Sequence, residues 1–352
     1  MNRKLHYIFI FSLLLCACAK QEQAIQQKGE PSVKKKQGPR PVVLGTATLA
    51  PYDPVVPGGN PERLANGLAL IDEMGEKARA QKETLDIILL PEHFAVSGDK
   101  QKLAENLDGK TVTSIAEKCR HYHTNAAVPM WLREGDKIFN AVVLLDREGK
   151  PAGTYRKVYP VLSLDGSLEN GITPGPDFPV FDLDFGRVGV MICFDEFFKD
   201  GWLTLGKKGA ELVLFSSASS AVSVLKSYAW RNHYYILAST FRPPTVIVDP
   251  LGGEVARTSK NKQVLVESID LDYRLVPWNA LRDFGKELGK KYGNRIKQNW
   301  HFEEDLCILT SNDPDLPIQQ VMDAESLFTM QEFLARNIKK QDQERGGRPK
   351  KN

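Results

Sequence analysis

An α/β fold is predicted for this chain by two observations. Segments with apolar residues at helical spacing alternate with short apolar runs bounded by turn residues, and 352 residues with a 42% hydrophobic fraction are enough for one sizeable core. Over 61–82, Leu64, Leu68, Ile71 and Met74 recur at helical spacing, which predicts a helix leading into a strand at 85–90. A second helix is expected over 111–123. Strands follow through 126–145, broken by the turn residues Glu134, Gly135 and Asp136, then at 180–193, 212–216, 235–239 and 245–249. Helices are expected between them, near 197–208 and 219–233. Past Tyr273, 281–296 and 324–339 read as helical, joined by an Asp- and Pro-containing loop, and 342–352 reads as a disordered basic tail.

Charge and the N-terminus bound what the chain does. The formal net charge is only +3, and its basic residues gather at the ends, in Lys34 to Lys36 and in the last dozen residues. That distribution points to solvated tails and against a nucleic-acid-binding face. Met1 to Lys4 is a basic start, 5–15 is largely apolar and too short to span a bilayer, and Leu15 and Ala17 precede Cys18. This resembles a bacterial lipoprotein signal, in which residues 1–17 are cleaved and Cys18 becomes the acylated N-terminus. Residues 18–40, rich in Gln, Lys and Gly, then read as a lipidated tether. An exported protein anchored to a membrane of the cell envelope is expected. No Asp follows Cys18, so the outer membrane is expected where the cell has two.

Five cysteines are present. Cys16 leaves with the signal peptide and Cys18 is acylated, which leaves Cys119, Cys193 and Cys307. Cys119 and Cys307 read as buried free thiols, with a disulfide between them as the alternative in an oxidising compartment. No metal is implied, because His121 and His123 lie two apart on a helical stretch and point to different sides. No cofactor is implied either.

Three apolar runs each end in one ionisable residue, at Glu92, Lys157 and Cys193. A thiol at the exposed end of a buried strand is where a nucleophile would meet a substrate. It needs a base or a nearby cation, because a thiol of ordinary pKa about 8.5 is mostly protonated at neutral pH. Glu92 supplies a base, and Lys157 a cation that favours the thiolate and then the oxyanion, helped by the backbone N–H of Phe194. Each residue alone has a structural reading: a buried small hydrophobe for Cys193, an exposed turn for Glu92, a solvated basic pair for Lys157 with Arg156.

The ordered set resembles the nitrilase superfamily of carbon–nitrogen hydrolases. The matching segments are LLPE at 89–92, FNAVVLLDREGKPAGTYRKVYP at 139–160, ITPG at 172–175, FGRVGVMICFDE at 185–196, KKGAELVLFSSAS at 207–219, AWRNHYYILAS at 229–239 and TVIVDPLGGEVA at 245–256. The resemblance implies a four-layer α-β-β-α sandwich over 41–280, with a helical C-terminal extension at 281–341 and the tail at 342–352. It implies Glu92 as general base, Lys157 as oxyanion stabiliser and Cys193 as nucleophile. A second carboxylate is expected between Lys157 and Cys193, at Glu169 or at its rival Asp165. It also implies a homo-oligomer.

The chain departs from the family's habit in two places. Lys199 and Asp200 stand where members commonly show Pro-Glu, and Trp230 to His233 lacks the glutamate of a common Arg-x-x-Glu-Asn helix. Phe194, Glu196 and Phe197 point to an unusual pocket lining. The expected function is cleavage of a non-peptide C–N bond in a small amide or carbamoyl compound through a Cys193 thioester. A nitrile hydrolase using the same trio and a non-catalytic binding lipoprotein are the alternatives.

Overall fold

A computed structural model describes residues 38–49 and 62–346. The expectations for Cys16, Cys18 and the segment 1–37, and for 347–352, lie outside the described residues. Strands β1 (Pro41–Ala47), β2 (Ile87–Leu89), β3 (Asn125–Glu134), β4 (Lys137–Leu145), β5 (Pro151–Arg156) and β12 (Val264–Asp270) form one sheet in the order β12-β1-β2-β3-β4-β5. Strands β6 (Val180–Leu183), β7 (Gly186–Ile192), β8 (Leu212–Ser217), β9 (Tyr235–Thr240), β10 (Val246–Val248) and β11 (Glu254–Arg257) form a second, in the order β11-β10-β9-β8-β7-β6. In each sheet three central strands are parallel, β1-β2-β3 and β7-β8-β9, and the flanking pairings are antiparallel.

Successive strand residues point to opposite faces, so a strand covered on both sides must be apolar at both parities. Val42, Leu44, Ile87, Leu89, Val142 and Leu144 face the second sheet and pack with Val188, Val190, Ile192, Leu212 and Leu214. Their neighbours Val43, Ile88, Val143 and Leu145 face outward and pack with Ile71, Met74, Ile115 and Cys119. Those outer residues belong to α1 (Glu62–Ala80) and α3 (Lys110–Tyr122), with the short α2 (Lys100–Leu103) between them in sequence. On the far side, Trp202 and Leu205 of α4 (Lys199–Lys207) and Leu225 and Ala229 of α5 (Val222–Asn232) cover the second sheet. The result is the four-layer α-β-β-α sandwich. Cys119 is buried there as a free thiol.

Hydroxyl side chains tie the two sheets at the ends where site residues emerge. Thr46 Oγ1 donates to the Ala238 carbonyl at 2.6 Å, Ser239 Oγ to the Ala47 carbonyl at 2.8 Å, and Ser216 Oγ to the Leu90 carbonyl at 3.0 Å. Each is buried and satisfied, the condition for a polar group inside a core.

Three expectations need correction. The run 180–193 is a hairpin of β6 and β7 turning at Asp184 and Phe185, with Leu183 paired to Gly186. The extension is mixed: β13 (Arg274–Pro277), β14 (Ile296–His301) and β15 (Leu306–Ser311) form a third sheet in the order β13-β15-β14, beside α6 (Lys286–Tyr292), α7 (Ile318–Ala324) and α8 (Met330–Glu344). In β15 the free thiol Cys307 and Leu309 face Ile318, Val321 and Met322, while Leu306 and Ile308 face Leu251 and Leu275. A short apolar run buried on both faces has no period of its own, so it reads equally as helix or strand. The helix expected over 324–339 is α8, which starts later, at a capping box of Thr329 and Glu332 after α7 has ended at Ala324, and runs through Glu344 into the stretch expected to be disordered. Among the described residues no helix is long and apolar enough to cross a membrane.

Gly175 shows how tightly the site's backbone is held. Its N–H donates to the Lys157 carbonyl at 2.8 Å, and a Cβ there would meet the Arg156 carbonyl oxygen at 2.0 Å. Gly175→Ala should therefore destabilise the fold by about 2 kcal/mol, the usual scale of overpacking, measured by urea unfolding. An unchanged midpoint would mean that the segment carrying Lys157 shifts freely.

Candidate active site

Each site residue leaves the end of a strand. Glu92 follows β2 by three residues and is 4% exposed; Lys157 follows β5 directly and is 1% exposed. Cys193 follows β7 at the head of a 3-10 turn, Cys193–Phe197, with a left-handed φ of 43°. That conformation is strained for a residue with a Cβ, and it turns the chain sharply where the sulfur is presented. The register places Ile192 opposite Ser216, so Cys193 emerges beside Ser217 of β8. The Ser216 bond to the Leu90 carbonyl then links this corner to the segment carrying Glu92.

A closed network joins four side chains. Lys157 Nζ donates to Glu92 Oε1 at 3.0 Å and to Glu169 Oε1. Asn140 Nδ2 donates to the same Glu92 oxygen at 2.7 Å and to Glu169 Oε2 at 3.0 Å. Two carboxylates so close would repel, and one buried ammonium between them makes the pair tolerable. Burial alone would discharge Lys157, yet Glu92 and Glu169 hold its pKa above the usual lysine value. Burial would likewise raise Glu92, but the Lys157 charge and the Asn140 hydrogen bond bring it down to about 2.

Cys193 sits in the field of this network. Burial pushes its thiol up, Glu92 pushes it further, and Lys157, the Ser217 hydroxyl and the Ala218 N–H pull against them, leaving it at about 12. The resting site is thus a neutral thiol beside a carboxylate and an ammonium. Lys157 favours ionisation of the thiol, as its charge suggests, and burial with the Glu92 charge outweighs it. Such a site can take a proton from sulfur only as sulfur bonds to carbon, with a base already ionised and a cation already placed.

Glu169 is the carboxylate beside Lys157, and its own φ of 43° helps turn it inward. Asp165 is exposed, its Oδ1 accepting from Ser167 N–H and hydroxyl at 2.9 and 2.6 Å. Phe194 packs its ring on Phe197 and Phe198, at 5.3 and 5.6 Å between centroids. Among the described residues no group of three or more His, Cys, Asp or Glu is placed to hold a metal ion.

Sequence reasoning missed Asn140, Asp195 and Tyr155. Asn140 lies inside β4, and only the pairing of Lys157 N–H with the Asn140 carbonyl at 2.8 Å sets it beside the lysine. Asp195 is fully buried and accepts from Tyr155 Oη at 2.7 Å, Ile192 N–H at 2.9 Å and Tyr159 N–H at 2.9 Å. It thereby clamps both the Cys193 turn and the residues after Lys157. The unusual Asp200 contributes too, accepting from Tyr159 Oη at 2.7 Å, while Tyr159 stacks on Phe198 at 3.7 Å. The signal for Asp195 in the sequence was a carboxylate two residues after Cys193, in the run FDE.

Burial raises Asp195 from 3.8 to about 6 against the three hydrogen bonds it receives. Its folded pKa lies above its unfolded one, so it stabilises the fold fully below about pH 4 and this contribution is lost as pH rises through 6. The size is about 3 kcal/mol at ~1.4 kcal/mol per unit. Glu92 acts in the opposite sense, stabilising above about pH 4.5 and losing that as pH falls toward 2. Asp195→Asn should remove part of the fall in unfolding free energy between pH 4 and 7, Glu196 carrying a comparable share, measured by urea titration at each pH. An unaltered slope would place that pH dependence on other groups.

The carbon–nitrogen hydrolase family matches residues 48–275, a span that contains Glu92, Asn140, Lys157, Glu169 and Cys193. The omega-amidase NIT3 of Saccharomyces cerevisiae is 25% identical over 248 residues, covering 60% of this chain and 84% of that protein. A citrullinase of Francisella tularensis is 26% identical over 165 residues, 44% of this chain and 58% of that one. Among solved structures, a carbon–nitrogen hydrolase from Helicobacter pylori has a TM-score of 0.56 at 17% identity, covering 66% of this chain and 90% of that chain. Nit3 of Saccharomyces cerevisiae has a TM-score of 0.55 at 19% identity, covering 68% and 93%. With a sandwich shared with these structures and a match over well more than half of its length, this chain belongs to the carbon–nitrogen hydrolase family.

Proposed function

We propose that the protein hydrolyses a non-peptide C–N bond of a small amide or carbamoyl compound through a thioester on Cys193. The observation that carries this reading is the gathering of one thiol, one ionised carboxylate and one buried ammonium at converging strand ends. The names of the similar proteins, an omega-amidase and a citrullinase, support the amide class.

In the first half-reaction Sγ bonds to the carbonyl carbon while its proton passes to Glu92. Burial and the Glu92 charge hold the thiol up while Lys157 and Asn140 hold Glu92 low, which disfavours ionisation ahead of attack and couples proton transfer to bond formation. The oxygen that becomes negative is met by the Lys157 ammonium and the Phe194 N–H, which stands in the first turn where backbone donors lack internal partners. Glu92 returns the proton to the departing nitrogen, the C–N bond breaks, and an acyl group remains on sulfur. Water then gives its proton to Glu92, bonds to the acyl carbon, and the acid leaves as sulfur recovers the proton. Glu169 acts through Lys157, holding it in place for both steps.

The reading includes export and a lipid anchor at Cys18, supported by the basic start, the short apolar run and the Leu15 and Ala17 positions ahead of that cysteine. It also includes self-association, supported by the exposed Phe197, Leu203 and Trp230 around α4 and α5. Light scattering that returns a monomer mass would remove that part.

Cys193→Ala should lower amide turnover by on the order of 10⁴-fold or more while leaving the far-ultraviolet spectrum unchanged. In the parent, intact-protein mass spectrometry during turnover should show an acyl adduct on Cys193. Full activity in the alanine variant would overturn the mechanism. For the anchor, Cys18→Ser should move the protein from the membrane to the soluble fraction of the producing cell, and equal membrane association of both forms would refute acylation at that residue.

A further inference from the structure

We propose that Glu196 selects the substrate, its carboxyl receiving an ammonium or other cationic donor group on the acyl chain bound to Cys193. The inference rests on the reading of Cys193 as the acylated nucleophile and adds a substrate class to it.

Position is the first argument. Glu196 lies in the 3-10 turn Cys193–Phe197. Such a turn repeats about every three residues, so position 196 returns to the side of position 193. The Glu196 carboxyl is also within the fields of Glu92 and Lys157, the two charges that act on the sulfur. The acyl group is the part of the substrate that stays on sulfur, one turn away from this carboxyl.

An unmet demand for a donor is the second. Glu196 is only 7% exposed, its Oε2 has no hydrogen-bond partner, and it forms no ion pair among the described residues. Its fully buried neighbour Asp195 accepts three hydrogen bonds. A buried carboxyl without donors is costly and stays protonated more readily than usual; burial, with the Glu92 charge, pushes Glu196 up to about 7. Asn140 Oδ1 and His93 Nδ1 are also buried without a partner, but among the described residues Glu196 is the carboxyl left so, and the donor it lacks is a group that arrives with the ligand.

The sign of the local field is the third. Lys157 is already shared between Glu92 and Glu169. Lys100, which lies over the Trp131 ring at 5.0 Å, is engaged by Glu169 and Glu92. At Glu196 the Glu92 charge outweighs the opposing Lys157 charge, so a cation there meets a net attraction from the two carboxylates and an anion a net repulsion.

The test uses three amides of similar length: 4-aminobutanamide, pentanamide and glutaramate. Binding is measured by calorimetry on Cys193→Ala, and kcat/KM on the parent, each with and without Glu196→Leu or the isosteric Glu196→Gln. The ammonium amide should bind, and be processed, at least tenfold better than pentanamide, with glutaramate last. Both substitutions should collapse that ratio toward one, leucine more completely. Equal binding of the three amides, a ratio that survives Glu196→Leu, or a uniform fall in kcat for all three with the ratio intact would each overturn the proposal. Acylation of Cys193 by these amides without any preference for the ammonium would sink this inference alone. Binding preference that depends on Glu196, without acylation by any amide, would sustain it and sink the thioester mechanism.

Discussion

The buried ammonium of Lys157 is the constraint on which the rest of the site depends. It is 1% exposed and stands between Glu92 and Glu169, with Asn140 bonded to both carboxylates. Removing one member of such a set leaves an uncompensated charge in the interior, which costs about 3 to 5 kcal/mol. The scaffold is accordingly rigid around it. β4 and β5 hold Asn140 and Lys157 side by side, Gly175 lets a loop approach the Arg156 carbonyl, and Asp195 bonds the backbone on both sides of the gap between the two sheets.

That arrangement sets the protonation states before any ligand arrives. Burial and the Glu92 charge outweigh Lys157 at the sulfur, so Cys193 rests as a thiol while Glu92 rests as a carboxylate. The left-handed conformation at Cys193 belongs to the same design, because a sharp turn at the strand end directs sulfur and the first backbone donors of the 3-10 turn to one place.

Much of the sandwich was legible in the chain. The helix at 62–80 and the strands from 125 to 145 follow directly from spacing and turn residues, because their apolar faces are one-sided or their boundaries are marked. The third sheet was not legible. β15 is buried on both faces, so Leu306 to Leu309 show no alternation, and the strand's pairing partners lie at 274–277 and 296–301. Within the site, Glu92, Lys157 and Cys193 stood out because each ends an apolar run. Asn140 sits inside such a run and looks like an ordinary strand residue until β5 is laid beside it.

The sequence by itself determined the elements, the order of the family's motifs and the residue types that a thiol-based hydrolysis requires, since these depend on local spacing and intrinsic chemistry. Tertiary structure alone decided that Glu169 and not Asp165 stands beside Lys157, that Asn140 bridges the two carboxylates, that the Cys193 proton stays on sulfur at rest, and that Glu196 is left buried without a donor. The physical reason is the same in each case. Hydrogen bonds and Coulomb fields act over a few ångströms, and which of residues 92, 140, 157, 169, 193 and 196 come within that range is set by strand register and sheet packing, which no local stretch of chain specifies.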